Sequence, residues 1–156
     1  MQKITPFLWF DTNAEEAMEF YCSIFKNSEI LSKTYNPEGG PMPAGTLLVG
    51  SFTLNGQKFM ALNGGPMYKF TEAVSFMIDC DSQEEIDYYW DKLLAGGEAQ
   101  ACGWLKDKFG LSWQITPSIL NEFMAKGTQE QVGRVMQAFM QMVKFDIAEL
   151  QKAFDG

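Results

Sequence analysis

The side chains best suited to acid–base or nucleophilic chemistry at neutral pH, histidine and cysteine, are absent or few in this sequence. The chain of 156 residues contains no histidine, which removes the commonest general base and the commonest transition-metal ligand. Its three cysteines, Cys22, Cys80 and Cys102, form no CxxC pair, so we expect free thiols in a reducing compartment. Cys102 could act as a nucleophile only beside a base, and Lys106 is a weak substitute for histidine. An inert strand cysteine is the simpler interpretation.

A polar row in one predicted hairpin is the better candidate for ligand contact. The segment Cys102–Pro117 is predicted to form two short strands joined by a turn at 107–110. Side chains of a strand alternate between its faces, so Trp113 and Ile115 are expected to pack on one side. The other side carries Ser112, Gln114 and Thr116. Gln114 could bind a ligand carbonyl or hydroxyl, or simply bond to a neighbouring strand.

Composition limits the partners that this chain can have. It is 46% hydrophobic and 14% aromatic, which predicts a globular protein. A net charge of −8 disfavours nucleic acid, because the surface would repel phosphates. The apolar run Ile4–Phe10 is short and is followed by Asp11, so we expect neither a signal peptide nor a membrane span. A cytoplasmic location is the default expectation.

The first half of the chain has the pattern of one strand, one helix and three further strands. Cap-type residues at 11–13 and a helical apolar spacing predict a helix that ends near Phe25. Asn55-Gly56 predicts a tight hairpin turn. The predicted strands are Ile4–Phe10, Glu29–Tyr35, Thr46–Leu54 and Gln57–Leu62.

The second half repeats this order. A strand is predicted at Ala73–Cys80 and a helix at Gln83–Leu94, followed by a strand near 98–101 and the hairpin. The acidic helix starts at 13–16 and 82–85 align, and the aromatic doublets at 20–21 and 89–90 then align as well. Such agreement indicates an internal repeat.

The C-terminal segment 118–156 has a different pattern. Apolar residues recur there at helical spacing, namely Val132, Val135, Met136, Phe139, Met140 and Val143. Asp146 is predicted to cap a last helix at Ile147–Phe154. The methionine-rich stripe is expected to pack in the core or against another subunit.

Four stretches together resemble the PhnB-like family of the vicinal-oxygen-chelate (glyoxalase–bleomycin-resistance–dioxygenase) superfamily. They are Ile4–Phe25, Phe59–Pro66, Val74–Cys80 and Cys102–Pro117, and the tail at 134–150 is also similar to that family. The resemblance implies an α+β fold of tandem βαβββ modules whose sheets form a cleft, often in a symmetric homodimer. We therefore expect a single domain, 1–156, with modules at 1–66 and 71–117 and a helical tail at 118–156.

The resemblance also implies where a metal would bind. In metal-using members of the superfamily the ligands sit on the first and fourth strands of each module. Those positions fall near Pro6 and Ser75 and on Met60 and Gln114. These side chains offer no carboxylate, imidazole or thiolate, so we expect neither a metal site nor a cofactor.

PhnB-like proteins often carry the label 3-demethylubiquinone 3-methyltransferase, but the residues do not indicate a methyl-donor site. Such a donor usually sits on a glycine-rich turn between a strand and a helix. The turn Asn63–Pro66 follows a strand, but a further strand is expected next.

Three functions remain open at this point. The first is metal-independent binding of a small molecule in a cleft lined by Leu8, Phe10, Met60, Leu62 and Gln114. Ser75, Tyr68, Lys69 and Trp104 are further ligand-binding candidates, whereas Trp9 and Trp113 are expected in the core. The second is an enzyme of transferase or lyase type that uses Ser75, Gln114, Tyr68 or Lys69. The third is a dimeric structural or interaction module, and fold alone cannot choose among the three.

Overall fold

The computed structural model describes residues 2–156, which form two compact units. The first unit ends at Phe70 and the second runs Thr71–Gly156. In the first unit the elements are β1 (Phe7–Phe10), α1 (Ala14–Ile24), β2 (Glu29–Tyr35), β3 (Leu47–Leu54) and β4 (Gln57–Asn63). Its strands form one sheet in the order β1-β4-β3-β2, with β1 parallel to β4 and the other pairs antiparallel.

One side of the first sheet packs on α1 and forms the core of that unit. Tyr21 of the helix stacks on Phe52 of β3, with ring centroids 6.5 Å apart. Gly50 lets the sheet approach the helix, because a Cβ there would lie 2.5 Å from Cε of Met18. The other buried residues on this side are Leu8, Phe10, Leu54, Phe59 and Ala61.

The start of α1 is held by a distant residue rather than by its own cap. Asn13 occupies the N-cap position but makes no side-chain cap hydrogen bond within the described chain. Instead Oδ1 of the buried Asn63 accepts from the Ala14 N–H at 2.8 Å, and its Nδ2 donates to the Leu47 carbonyl. The end of β4 therefore fixes where the helix begins.

The second unit repeats the first. Its elements are β5 (Ser75–Cys80), α2 (Gln83–Leu94), β6 (Glu98–Ala99), β7 (Trp104–Lys106) and β8 (Ser112–Pro117). The sheet order β5-β8-β7-β6 matches that of the first unit, and β5 is parallel to β8 just as β1 is parallel to β4. Ser82 caps α2 by accepting from the Glu85 N–H. The predicted α+β fold of tandem βαβββ modules is confirmed.

The tail contains α3 (Ile119–Lys126), α4 (Gln129–Phe139) and α5 (Ile147–Asp155). Asp146 caps α5 as predicted, by accepting from the Glu149 N–H at 3.1 Å. The helical spacing continued to Val143, but α4 ends at Phe139, so the last part of the predicted stripe lies outside the helix.

The segment after α4 is attached to the turn before β7 and to α2 by both backbone and side-chain bonds. The N–H groups of Cys102 and Gly103 donate to the carbonyls of Met142 and Val143, each at 2.8 Å. The Gln83 side chain of α2 also donates to the Phe145 carbonyl and accepts from the Ile147 N–H. These bonds explain why the helix stops before this segment, since its backbone groups are used elsewhere.

Candidate functional site

Two rows of side chains cross the second sheet on the side opposite α2, which we call its helix-free face. They follow from the strand register, because paired residues on neighbouring strands point to the same side of a sheet. The polar row consists of Ser75, Ser112 and Lys106. The mixed row beside it consists of Met77, Gln114 and Trp104. Both rows are anchored from behind, by the buried Leu105, Trp113 and Ile115 on the side facing α2.

Gln114 and Ser75 are joined directly. The Gln114 Nε2 donates to the Ser75 Oγ at 2.8 Å, from β8 to the neighbouring β5. The bond fixes the amide, while the Ser75 hydroxyl hydrogen stays available to an acceptor outside the pair. The two predicted site residues therefore form one polar unit on a half-buried surface.

Ser112 is the unusual member of the polar row. It is 0% exposed, and its Oγ has no hydrogen-bond partner among residues 2–156. Leaving a buried hydroxyl unpaired typically costs roughly 1–3 kcal/mol. The Ser112 hydroxyl is therefore a hydrogen-bonding group that residues 2–156 leave unused.

Lys106 carries the positive charge of the polar row and pairs with Glu72. The Glu72 Oε1 accepts from the Lys106 ammonium, and the Gln100 Nε2 donates to the same oxygen at 3.3 Å. The Lys106 partner lowers the pKa of the Glu72 carboxyl, and the Glu72 carboxylate raises the pKa of Lys106. Both groups are therefore charged at neutral pH.

The turn before β8 is held by one buried carboxylate. Asp107 is 3% exposed, and its Oδ1 accepts from the backbone N–H groups of Phe109 and Leu111. Its Oδ2 accepts from the Trp113 indole N–H at 2.9 Å. This places Trp113 firmly on the side facing α2 and, through strand alternation, Gln114 on the helix-free face. The prediction that Trp113 belongs to the core is confirmed.

In the first unit the predicted lining residues separate onto two sides of the sheet. Met60 and Leu62 lie on the side opposite α1, where they pair with Phe7 and Trp9. Leu8 and Phe10 point toward α1 and are 6% and 3% exposed. The expectation that these two residues share a surface with Met60 and Leu62 is therefore corrected: they are core residues.

Trp9 also differs from its prediction. It lies on the side opposite α1 and is only half-buried, rather than part of the core. Its indole N–H donates to the Gly65 carbonyl at 2.9 Å, and its ring meets Tyr68 edge-on with centroids 5.0 Å apart. Tyr68 is thus brought to this surface, whereas Lys69 is an exposed residue of the same segment.

The cysteines are free thiols in the described part of the chain. Burial raises the pKa of Cys80 to about 12, with a smaller contribution from the charge of Glu85. Burial also raises the pKa of Cys22. Both thiols are therefore protonated at neutral pH and poor nucleophiles.

The chemistry of the superfamily positions does not suit a divalent metal. Ser75 and Gln114 offer neutral oxygens, Met60 offers a thioether, and the Pro6 carbonyl already accepts from the Met60 N–H at 2.9 Å. Among residues 2–156 no group of three or more histidine, cysteine or acidic side chains could hold an ion.

The glycine turn after β4 does not suit a methyl donor either. The N–H groups of Gly64 and Gly65 donate to the carbonyls of Phe10 and Asp11, at 2.9 and 3.1 Å. These donors are satisfied by the end of β1, and the next regular element is strand β5 rather than a helix. The turn lacks the free N–H groups that such sites use.

Sequence reasoning missed the pair of Glu72 and Lys106. Lys106 stands two positions from Trp104 in a strand, so alternation could have placed it on the same face. Glu72 precedes β5 in a segment without regular structure, and no local pattern connects it to Lys106. Ser112 was assigned to the correct side, but its burial was not foreseen.

Similarity to known proteins covers most of the chain. The family model described as 3-demethylubiquinone-9 3-methyltransferase matches residues 2–116, so α3, α4 and α5 lie beyond the matched part. No curated protein matches the chain. None of the described helices has the length and apolar content needed to cross a membrane.

Three solved structures show the extent of the likeness. The PhnB protein from Bacillus cereus is 43% identical, with a TM-score of 0.71 over 75% of this chain and 100% of its own. Protein PA1353 from Pseudomonas aeruginosa is 20% identical, with a TM-score of 0.63 over 75% of this chain and 98% of its own. The fosfomycin resistance protein FosX from Listeria monocytogenes, solved with Mn(II) and sulfate, is 20% identical, with a TM-score of 0.56 over 80% and 99%. The last two support the fold alone.

Proposed function

We propose that this chain, which belongs to the 3-demethylubiquinone-9 3-methyltransferase (PhnB-like) family of the vicinal-oxygen-chelate superfamily, binds a small organic molecule on the helix-free face of its second sheet. The observation that carries the proposal is the pair of Gln114 and Ser75, joined at 2.8 Å on a half-buried surface. A fixed amide beside a free hydroxyl hydrogen can hold a carbonyl or hydroxyl of a ligand in one orientation.

The surroundings of this pair have the composition of a small-molecule site. Trp104 is half-buried and Met77 is 55% exposed, and both flank Gln114 in the mixed row. Sites for organic ligands are largely apolar with a few well-placed polar groups. The exposed methionine and the indole offer apolar contact, while Gln114 and Ser75 orient the ligand through hydrogen bonds.

The test begins with native mass spectrometry of the protein purified from its own host, to find a co-purified molecule and its stoichiometry. Once that molecule is known, Gln114→Ala should weaken its binding by roughly tenfold, since one hydrogen bond is worth about that much. Thr116→Ala is the matched control, because Thr116 lies on the same side of β8, one row further along. Equal effects of the two substitutions would remove Gln114 from the site.

We also propose that binding does not depend on a metal. The donor atoms at the four superfamily positions are too weak to retain a divalent transition metal through dialysis. Elemental analysis of the dialysed protein should therefore find well under one equivalent of zinc, nickel, iron or manganese per chain. One full equivalent of any of them would contradict this part of the proposal.

We further expect a two-fold symmetric homodimer. The tail exposes several apolar side chains, and strands β1 and β5 are edge strands that can pair with another chain. The exposed apolar residues of the tail are Met124, Met136, Met140 and Val143. Light scattering at micromolar concentration should give about twice 17.6 kDa. A mass near 17.6 kDa would argue for a monomer.

A further inference from the structure

The two partners of the ion pair on the helix-free face are held very differently. Lys106 belongs to β7, an inner strand bonded to β6 and β8, so the position of its backbone is fixed by the sheet. Glu72 belongs to the segment before β5, outside any strand or helix, and its side chain is 50% exposed. The cation is built into the surface, whereas the carboxylate is brought to it by a connecting segment.

The contacts of Glu72 are those that a carboxylate of a ligand would make. One oxygen takes the Lys106 ammonium and the Gln100 amide together. A cation and a neutral N–H donor that converge on one oxygen form a receptor for an anionic oxygen. The structure thus shows which chemical group fits beside Lys106.

The polar row has more hydrogen-bonding capacity than the protein uses. Ser112 pairs with Lys106 across β7 and β8, and with Ser75 across β5 and β8. Its hydroxyl is buried and has no partner in the described residues. Because Ser112 is 0% exposed, an incoming carboxylate would meet the Lys106 ammonium and the Gln100 amide, while Ser112 lies next to Lys106 in the polar row.

The neighbours of the polar row favour an organic anion of single charge. Trp104 and Met77 lie in the adjacent row and offer apolar surface for the body of a ligand. Glu98 of β6 pairs with Lys106 in the sheet, and its negative charge helps to raise the Lys106 pKa. A second negative charge on a ligand would be repelled by Glu98.

From these contacts we propose that the bound molecule carries a carboxylate, and that Glu72 occupies the place of that carboxylate while the site is free. The inference rests on the proposed function, because it names the chemical class of the molecule that the same face binds. Binding exchanges one carboxylate for another at Lys106, so Glu72 acts as an internal competitor.

The experiment compares benzoate with benzamide, which share an aromatic ring and differ in charge, on the full chain. Two-dimensional ¹H–¹⁵N NMR follows the backbone amides of Lys106 and Ser112 and the side-chain amide of Gln114 during each titration. Benzoate should shift these signals at lower concentration than benzamide. Added NaCl should weaken the binding of benzoate but leave the binding of benzamide unchanged, because salt screens only the charged contact.

Substitutions then isolate the two partners. Glu72→Gln removes the competitor and should tighten benzoate binding by about threefold, the size expected when an exposed pair no longer has to be broken. Lys106→Met should lower the affinity for benzoate at least fivefold and leave the affinity for benzamide unchanged. Glu122→Gln, which removes the same charge from another exposed pair, with Lys126, is the matched control and should change neither affinity. Should Lys106→Met fail to fold, Glu72→Gln alone decides.

The outcomes separate this inference from the function on which it rests. Equal binding of benzoate and benzamide, or weaker benzoate binding by Glu72→Gln, would overturn the carboxylate inference and leave small-molecule binding intact. If neither compound shifts the signals, the co-purified molecule decides: one with a carboxyl group supports the inference, and one without it overturns the inference. If neither compound shifts the signals and no molecule co-purifies with the protein, the proposed function itself is overturned.

Discussion

Trp113→Ala is expected to lower the free energy of unfolding by roughly 3–5 kcal/mol, whereas Gln114→Ala should lower it by about 1 kcal/mol or less. The two residues are neighbours in β8 but lie on opposite sides of the sheet. Trp113 is 3% exposed, and its indole N–H is bonded to the buried Asp107 at 2.9 Å. Gln114 is half-buried and loses only its bond to Ser75.

Urea unfolding of both variants measures this difference. Trp113→Phe serves as a control that keeps an aromatic ring but removes the N–H donor to Asp107, so its cost should lie between the other two. A larger loss of stability for Gln114→Ala than for Trp113→Ala would mean that β8 presents the opposite side to α2. The assignment of Gln114 to the helix-free face would then fail.

Gly103→Ala is expected to cost about 2–4 kcal/mol of stability. Gly103 has φ +78°, a conformation that costs an L-residue roughly 1–2 kcal/mol. An added Cβ would also lie 2.4 Å from Cε2 of Phe145 and 2.7 Å from the Ile115 carbonyl oxygen. The substitution therefore strains the turn and pushes away the tail segment whose Val143 carbonyl accepts from the Gly103 N–H.

Gly133→Ala provides the matched control for this prediction. Gly133 lies in α4, and apart from its chain neighbours and the backbone of its own helix a Cβ there would meet no described atom within 4 Å. Alanine in a helix interior is more favourable than glycine by about 1 kcal/mol, so this variant should be more stable than the parent in the same urea experiment. Unchanged stability of Gly103→Ala would show that the tail does not pack on the turn at 102–103.

The order of the elements and the two-fold repeat were predictable from sequence because their signals are local. The Asn55-Gly56 turn is one example: both residues adopt positive φ, at 49° and 79°, as a tight hairpin of this type requires. The alternation in β8 is another, since one apolar side and one polar side can be recognised within six residues. Such patterns need no knowledge of what the strand packs against.

The orientation of β1 could not be predicted in the same way. Its four residues, Phe7–Phe10, are all apolar, so the strand shows no alternation and either side could face the helix. The side that faces α1 is set by strand pairing: Leu8 pairs with Ala61 and Phe10 with Asn63, so the Leu8 and Phe10 side chains point toward α1. This is why Leu8 and Phe10 were expected to contact a ligand but are core residues.

The extent of α4 was decided by tertiary bonds as well. Apolar spacing favours helix up to Val143, yet the helix ends at Phe139. Beyond it the carbonyls of Met142 and Val143 accept from Cys102 and Gly103, which lie about 40 positions earlier in the chain. A periodic pattern reports which side chains are apolar, and it does not report where the backbone groups find their partners.

The fold family, the repeated modules and the side of β8 that carries Gln114 follow from local sequence patterns. Tertiary structure alone decided which other groups join it, because Glu72 comes from a segment without periodic pattern and reaches Lys106 across the sheet. It also decided that Ser112 is buried without a partner within residues 2–156, a property of everything packed around that hydroxyl. Side-chain direction is set locally by the period of the strand, whereas charge pairing and burial depend on residues that are distant in the chain.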